Sequence, residues 1–349
     1  MAQWLAQIPL AILRHSRLGV CLLCLLFVKS AYADKLVVEG ANGVLLNREG
    51  VIVDILGSEL RLQMLSGKVD IIPIAKVKRI DASDDAAGQA CEKLVQAGNF
   101  RQAILPLQKA ISAESRPWRQ RQLRQQLVVC HHELGEIASA GDEFLLLVAS
   151  DPSTLAWNLA PLAWTTTQVS PDVESRAEKW LAARNNPAAQ LLGASWLLPT
   201  AKRGTSIATL QALASNPTPA DPRVSALAEM QLWRTKIVTA KPADITNWQQ
   251  AIDQVPSEIR SGPLFILGDA LAYTKQPEAA ALAYLKIPLL YDSCRPLCAE
   301  ALLAAARQEH VRGETNAAVR LLQELQKKYP LSPVAEEAKS DLKTWKVTP

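Results

Sequence analysis

The sequence predicts a mainly α-helical protein with a small β unit in front of it. Three observations carry that expectation. Apolar and polar residues alternate over residues 36–81, the period of half-buried strands. From Asp84 onward the apolar spacing becomes i, i+3, i+4, with alanine, leucine and glutamine dominant, which is the helical period. Prolines then recur: Pro117, Pro152, Pro187, Pro217 and Pro256 stand 35, 35, 30 and 39 residues apart, and Pro330 follows 74 residues later. A period near 35 residues marks stacked helical hairpins.

Composition sets outer bounds. The chain has 349 residues, 49% hydrophobic and 21% charged, which excludes a disordered or collagen-like polymer. A mean hydropathy of +0.03 excludes a polytopic membrane protein. Arg14, Arg17 and Lys29 precede Asp34, the first acid, so the formal charge falls from +4 for the chain to +1 beyond residue 33. That neutral balance gives no electrostatic reason to bind nucleic acid.

The elements follow in order. Residues 18–28 form a short apolar run after Arg14 and Arg17, closed by Ala31-Tyr32-Ala33. This order of charge, apolar run and small-x-small site predicts a signal peptide over 1–33 and a periplasmic or secreted chain. An uncleaved membrane anchor is the alternative. A β unit is expected over 34–82. Leu60, Leu62 and Met64 alternate with polar neighbours, and Val51, Val53 and Ile55 form a second series. Gly57-Ser58 and Ser66-Gly67 supply turns. So few residues bury little unless the sheet curls into a barrel. The pattern Gly50-Val-Ile-Val-Asp-Ile-Leu-Gly57, Glu59-Leu-Arg-Leu and Ile72-Pro-Ile-Ala-Lys-Val77 resembles small SH3-like or Sm-like barrels.

Helical hairpins are expected over 84–345. Leu94, Gly98, Phe100, Ala103 and Leu107 mark one unit; Gly135, Ala140, Phe144, Leu147 and Pro152 mark the next. Leu264, Leu267, Gly268, Leu271, Ala280, Tyr284 and Ile287 mark a third, and Leu302, Ala305, Ala306, Gly313, Ala318, Leu322, Leu325 and Pro330 a fourth. These positions resemble tetratricopeptide (TPR) repeats. Small residues let paired helices approach, and a bulky residue plugs the next interface. The middle is degenerate over 154–256: Arg176 and Asp244 stand where a small residue is expected. The expectation is a TPR-like α-solenoid of about seven hairpins with residues 332–345 as a cap, preceded by a small β-barrel.

Candidate chemistry is sparse. Position 136 is Glu136, so His132-Glu133 lacks the second histidine of a zinc-binding H-E-x-x-H. His131 and His132 are helix neighbours whose side chains diverge by about 100°. No metal and no cofactor is expected. Cys91 with Cys130, and Cys294 with Cys298, are open as disulfides or packed thiols. Arg116, Arg119, Arg121 and Arg124 surround Trp118. They read as a solvated face paired with Glu114, or as a dock for an acidic partner or an anionic envelope surface. Trp157, Trp164, Trp180, Trp196, Trp233 and Trp248 crowd the degenerate middle and read as core, with an aromatic groove as the alternative.

Function is expected to be a non-enzymatic scaffold that binds a protein or peptide. The TPR resemblance implies a concave binding face with Gln125, Val129, His132 and Glu133; with Phe265, Asp269, Ala272 and Tyr273; and with Leu303, Arg307, His310 and Val311. Phe265 and Tyr273 are expected to share one helix side as an apolar anchor. Tyr329-Pro-Leu-Ser-Pro-Val-Ala335-Glu-Glu-Ala338 resembles exported bacterial TPR proteins of envelope assembly and division, including those associated with the Tol–Pal system. A cell-wall or glycan-binding protein using the barrel is the alternative, although residues 36–81 contain no Trp, Tyr or Phe. N-terminal sequencing of the exported product should begin at Asp34; a retained Met1 would instead make the chain membrane-anchored.

Overall fold

A computed structural model describes residues 33–345 other than 84, 166–167 and 216–220. The expected signal segment therefore lies outside the described residues, apart from Ala33. No helix among the described residues is long and apolar enough to cross a membrane. Five strands come first: β1 (Asp34–Glu39), β2 (Leu45–Leu56), β3 (Glu59–Gln63), β4 (Val69–Pro73) and β5 (Val77–Asp81). They form an antiparallel sheet in the order β4-β3-β2-β1-β5.

β2 serves two neighbours. Residues 45–50 pair with β1 and residues 51–56 with β3. Gly50 marks the change, because a Cβ there would overlap the Gln63 carbonyl. A register shift between Ile52 and Asp54 then exchanges the faces of the strand. Ahead of that shift Gly50 and Ile52 share the buried face, whereas Val51 and Val53 are exposed. The expected Val51–Val53–Ile55 inward series is thus out of phase at its first two positions.

The sheet is open, which corrects the expected closed barrel. β4 and β5 are separate edges joined through a 3-10 turn (Ile74–Lys76). The core is completed from outside. Trp118 is 1% exposed and packs among Leu36, Val38, Ile52, Leu60, Leu62 and Ile72. Its indole N–H donates to the Ile52 carbonyl at 3.1 Å. Burying one such ring removes roughly 200 Å² from water, about 5 kcal/mol before entropy.

Fourteen α-helices follow among the described residues. The first four are α1 (Ala86–Gln96), α2 (Phe100–Ala113), α3 (Pro117–Glu133) and α4 (Ile137–Ser150). A stretch with a 3-10 turn (Ala156–Leu159) replaces the next expected helix. Then come α5 (Pro171–Leu181), α6 (Pro187–Leu197), α7 (Arg203–Ser215), α8 (Pro222–Trp233) and α9 (Pro242–Gln254). Last are α10 (Ser261–Tyr273), α11 (Pro277–Leu290), α12 (Arg295–Val311), α13 (Thr315–Lys328) and α14 (Val334–Thr344).

The four clear sequence units are helical hairpins: α1–α2, α3–α4, α10–α11 and α12–α13. Their small residues Ala103, Ala140, Ala280 and Ala318 are all fully buried. Their turns share one geometry. Gly98, Gly135, Lys275 and Gly313 all take positive φ, at 74°, 71°, 60° and 84°. The following N–H reaches back five residues in each, as from Asn99 to Leu94 and from Gln276 to Leu271, both 2.9 Å. This is the left-handed C-terminal closure that glycine favours. In the middle, the buried small residue is Ala177, one position after Arg176, and it faces Gly193, where a Cβ would meet the Ala177 carbonyl. Helices α6, α8, α10, α12 and α14 each touch the next. The array also meets itself, since α12 touches α3 and the 3-10 turn at Ala156–Leu159 touches another at Ser257–Ile259.

The arginine cluster is neither solvated nor free for a partner. Arg119 and Arg121 are buried. Arg121 pairs with Asp54 and donates to the Ile55 carbonyl at 2.7 Å. Arg119 pairs with Asp85 and with Glu92 at 3.0 Å. Arg116 bonds Glu114 at 2.7 Å, as read from sequence, and also the Ser83 carbonyl at 3.0 Å. Arg124 pairs with Glu143. These contacts bind α3 to the sheet and to its own neighbours. Replacing Trp118 by Ala should cost about 3–5 kcal/mol. Urea unfolding followed by far-ultraviolet circular dichroism should show sheet and helix signals lost together; an unchanged midpoint would mean that the sheet holds itself.

Candidate functional site

The inner side of the array encloses a cavity of about 840 Å³. Its walls come from distant parts of the chain: the α1–α2 turn, the end of α3, residues 162–165 and 168–173, Trp196 on α6, the start of α12 and the turn after α13. Two expected residues, His132 and Glu133, lie on its wall, together with Trp164, Trp196, Arg295, Glu300 and Leu331.

The tryptophan wall is built by a buried polar net. Ser195 Oγ accepts from the Ala163 N–H at 2.9 Å and donates to Gln231 at 3.0 Å. The Gln231 amide donates to the Ala163 carbonyl at 3.2 Å, and Arg234 donates to the Ser195 carbonyl at 2.9 Å. Trp196 donates to the Pro161 carbonyl at 2.7 Å. Trp164 presses on Gly262, where no Cβ fits. Of the six tryptophans, Trp157, Trp180, Trp196, Trp233 and Trp248 are buried, as a core reading requires, and Trp164 is half-buried. Trp164 and Trp196 nonetheless present part of their surface to the cavity.

Charge inside the cavity is poorly solvated. Glu133 Oε1 and Arg295 Nε lie 3.5 Å apart, both buried and without a hydrogen bond. Burial raises the Glu133 carboxyl above its ordinary range, against the nearby Arg295. Burial pushes His132 down to about 4, so it is neutral at physiological pH. Burial, reinforced by Glu337, pushes Glu300 up to about 7. Burial likewise raises Cys294 to about 11 and Cys130 and Cys298 to about 12, so these thiols stay protonated. All four described cysteines are buried and unbridged.

The remaining expected residues do not converge on this cavity. Gln125 and Val129 line a second cleft, between α3 and β5. Phe265 is buried, its ring 5.2 Å from that of Tyr284, while Tyr273 is 55% exposed. They do not form a shared anchor. Asp269 accepts from the Tyr284 hydroxyl at 2.6 Å, and burial pushes it up to about 6. Ala272 is half-buried and Leu303 is buried. Arg307 bonds Glu337 and Asp341 of α14, each at 2.9 Å, and His310 stacks on Trp345 at 4.1 Å. The terminal helix and the residue that follows it therefore engage those two side chains. Val311 is exposed. Sequence reading missed Glu300, Arg295 and Trp164 as one site, because nothing in residue spacing tells that the array returns on itself.

No protein-family model matches the chain, and no curated protein is similar to it.

The Glu300 shift sets a pH dependence. Between about pH 4.5 and 7 the folded chain keeps a proton on Glu300 that the unfolded chain has lost, so stability falls as pH rises through this window. Glu300→Gln should remove that slope. The variant should gain on the order of 2 kcal/mol over the parent at pH 8 and nothing at pH 4. Chemical denaturation across pH measures it, and equal gains at both pH values would refute the assignment.

Proposed function

We propose that the protein is a non-enzymatic scaffold whose helical hairpins form a TPR-like solenoid, closed tightly enough to hold a protein or peptide segment in the inner cavity. The observation that carries this reading is the cavity itself: both ends of the array contribute walls, and aromatic, aliphatic and charged groups all line it. Such a mixed concave surface suits an amphipathic segment with an apolar side chain against Trp164 and Trp196. A neutral imidazole and a protonated thiol offer no activated nucleophile. The strand order and the 3-10 turn before β5 support an SH3-like origin for the open sheet. The leader-like order of residues 1–33 supports a periplasmic or secreted location for this scaffold.

Leu331 gives a direct test, since it lies at the cavity and is 70% exposed. A photo-crosslinking amino acid there should capture a protein in intact cells. The same probe at Val238, 62% exposed and outside the cavity lining, should not. Equal labelling from both positions, or none from Leu331, would overturn the proposal.

A further inference from the structure

A second site lies apart from the inner cavity. β5 is a terminal strand of the sheet and pairs with β1 alone. On its other edge the Val77 N–H turns back to the Ile74 carbonyl, and the outward backbone groups beyond it, from Lys78 onward, have no backbone partner among the described residues. A cleft of about 720 Å³ runs beside it. Val77, Lys78, Arg79 and Ile80, four consecutive residues, all line this cleft. Successive strand side chains point to opposite faces. A space that touches four in a row lies along the strand's edge and not over one face.

The opposite wall is rich in amides: Gln122, Gln125 and Gln126 from α3, and Asn158 from the 3-10 turn. Gln126 Oε1 is buried without a hydrogen-bond partner. The side-chain amides of Gln125 and Asn158 form no hydrogen bond with described residues. Carboxamides match a peptide backbone in donor and acceptor alike. The charges nearby are already paired: Lys78 with Glu39 at 2.6 Å, Arg79 with Asp81 at 2.8 Å, and Arg119 with Asp85 and Glu92. An uncharged occupant therefore fits better than an acidic one.

We propose that this cleft binds an uncharged, extended polypeptide segment of a partner, which adds as a sixth strand to the edge of β5 while the glutamine amides hold its far side. About five residues, at about 3.3 Å each, match the length of the edge. A cleft of about 720 Å³ walled by α1, α3 and the 3-10 turn suits a short segment more than a whole second sheet, so a peptide is favoured over another copy of this chain. Backbone pairing supplies the affinity in such additions, and alternate side chains supply selectivity.

The test pans a phage-displayed random heptapeptide library on the full-length chain, with counter-selection on Gln125→Arg, whose longer side chain enters the cleft. Enriched peptides are synthesised twice, once with alternate backbone amides N-methylated. Uncharged sequences are expected. Their binding should weaken tenfold or more on N-methylation and with Gln125→Arg, and hydrogen exchange should slow over residues 77–81. The N-methylated peptides keep the result interpretable if Gln125→Arg lowers the melting temperature. Peptides that tolerate N-methylation, or no enrichment dependent on Gln125, would overturn the proposal. So would a dimer that Gln125→Arg dissolves, because the edge would then belong to a second copy. Failure here leaves the Leu331 result untouched, since the two sites share no residue.

Discussion

The insertion of Trp118 into the sheet is the contact on which the rest of the architecture depends. Five short open strands bury little by themselves. The ring closes their core, and the residues beside it in α3 fix how the sheet sits. Arg121 reaches the bend of β2, Arg116 reaches Ser83, and Asp34 accepts from the Ile52 and Ser83 N–H groups at 2.9 and 2.8 Å. These are charge-assisted bonds in a place with little water, where each is worth more than at a surface. The connection between sheet and helices is accordingly a shared core. The cleft beside β5 exists because α3 is held there.

A second constraint acts on the other side of the array. Residues 151–165 do not form the helix that the period of 35 calls for. Arg223 secures the start of this stretch. It bonds Asp221 and the Thr154 carbonyl and lies over the Trp157 ring at 5.4 Å. Asp151 also accepts from the Gly57 N–H at 3.0 Å, so the same stretch carries the β2–β3 turn. Losing one helix removes a layer from the stack at that point. The residues that replace it, ending in Trp164, line the cavity and touch α10.

Local signals were legible where one residue decides one local geometry. The alanines at 103, 140, 280 and 318 and the glycines at 98, 135 and 313 each act within a few residues of themselves. Lys275 shows the limit even there, since a lysine takes the left-handed turn position that glycine holds elsewhere. What sequence did not reveal depends on contacts across long separations. Trp118 meets Ile52 from 66 residues away. Arg295 meets Glu133 across the closed array. A basic helix segment looks alike in sequence whether water or a sheet covers it. Phe265 and Tyr273 show the same limit: equal aromatic character, spaced by eight, gave no warning that one would be core and the other exposed.

The two regions treat buried charge in opposite ways, and this separates scaffold from site. In the clasp around Trp118, most guanidinium groups meet a carboxylate or a carbonyl at hydrogen-bond distance, so desolvation is offset. Around the cavity, Glu133 meets Arg295 without a hydrogen bond, and Glu300 has only longer-range charges near it. Both carboxyls are held above their ordinary pKa by burial. Such groups lower stability at neutral pH. A donor brought in by a bound segment would lower that cost at the moment of binding, and would do so only inside the cavity. The same donor set against the clasp would find its acceptors already engaged. The stability cost around the cavity and the affinity proposed for it are thus two sides of one electrostatic imbalance.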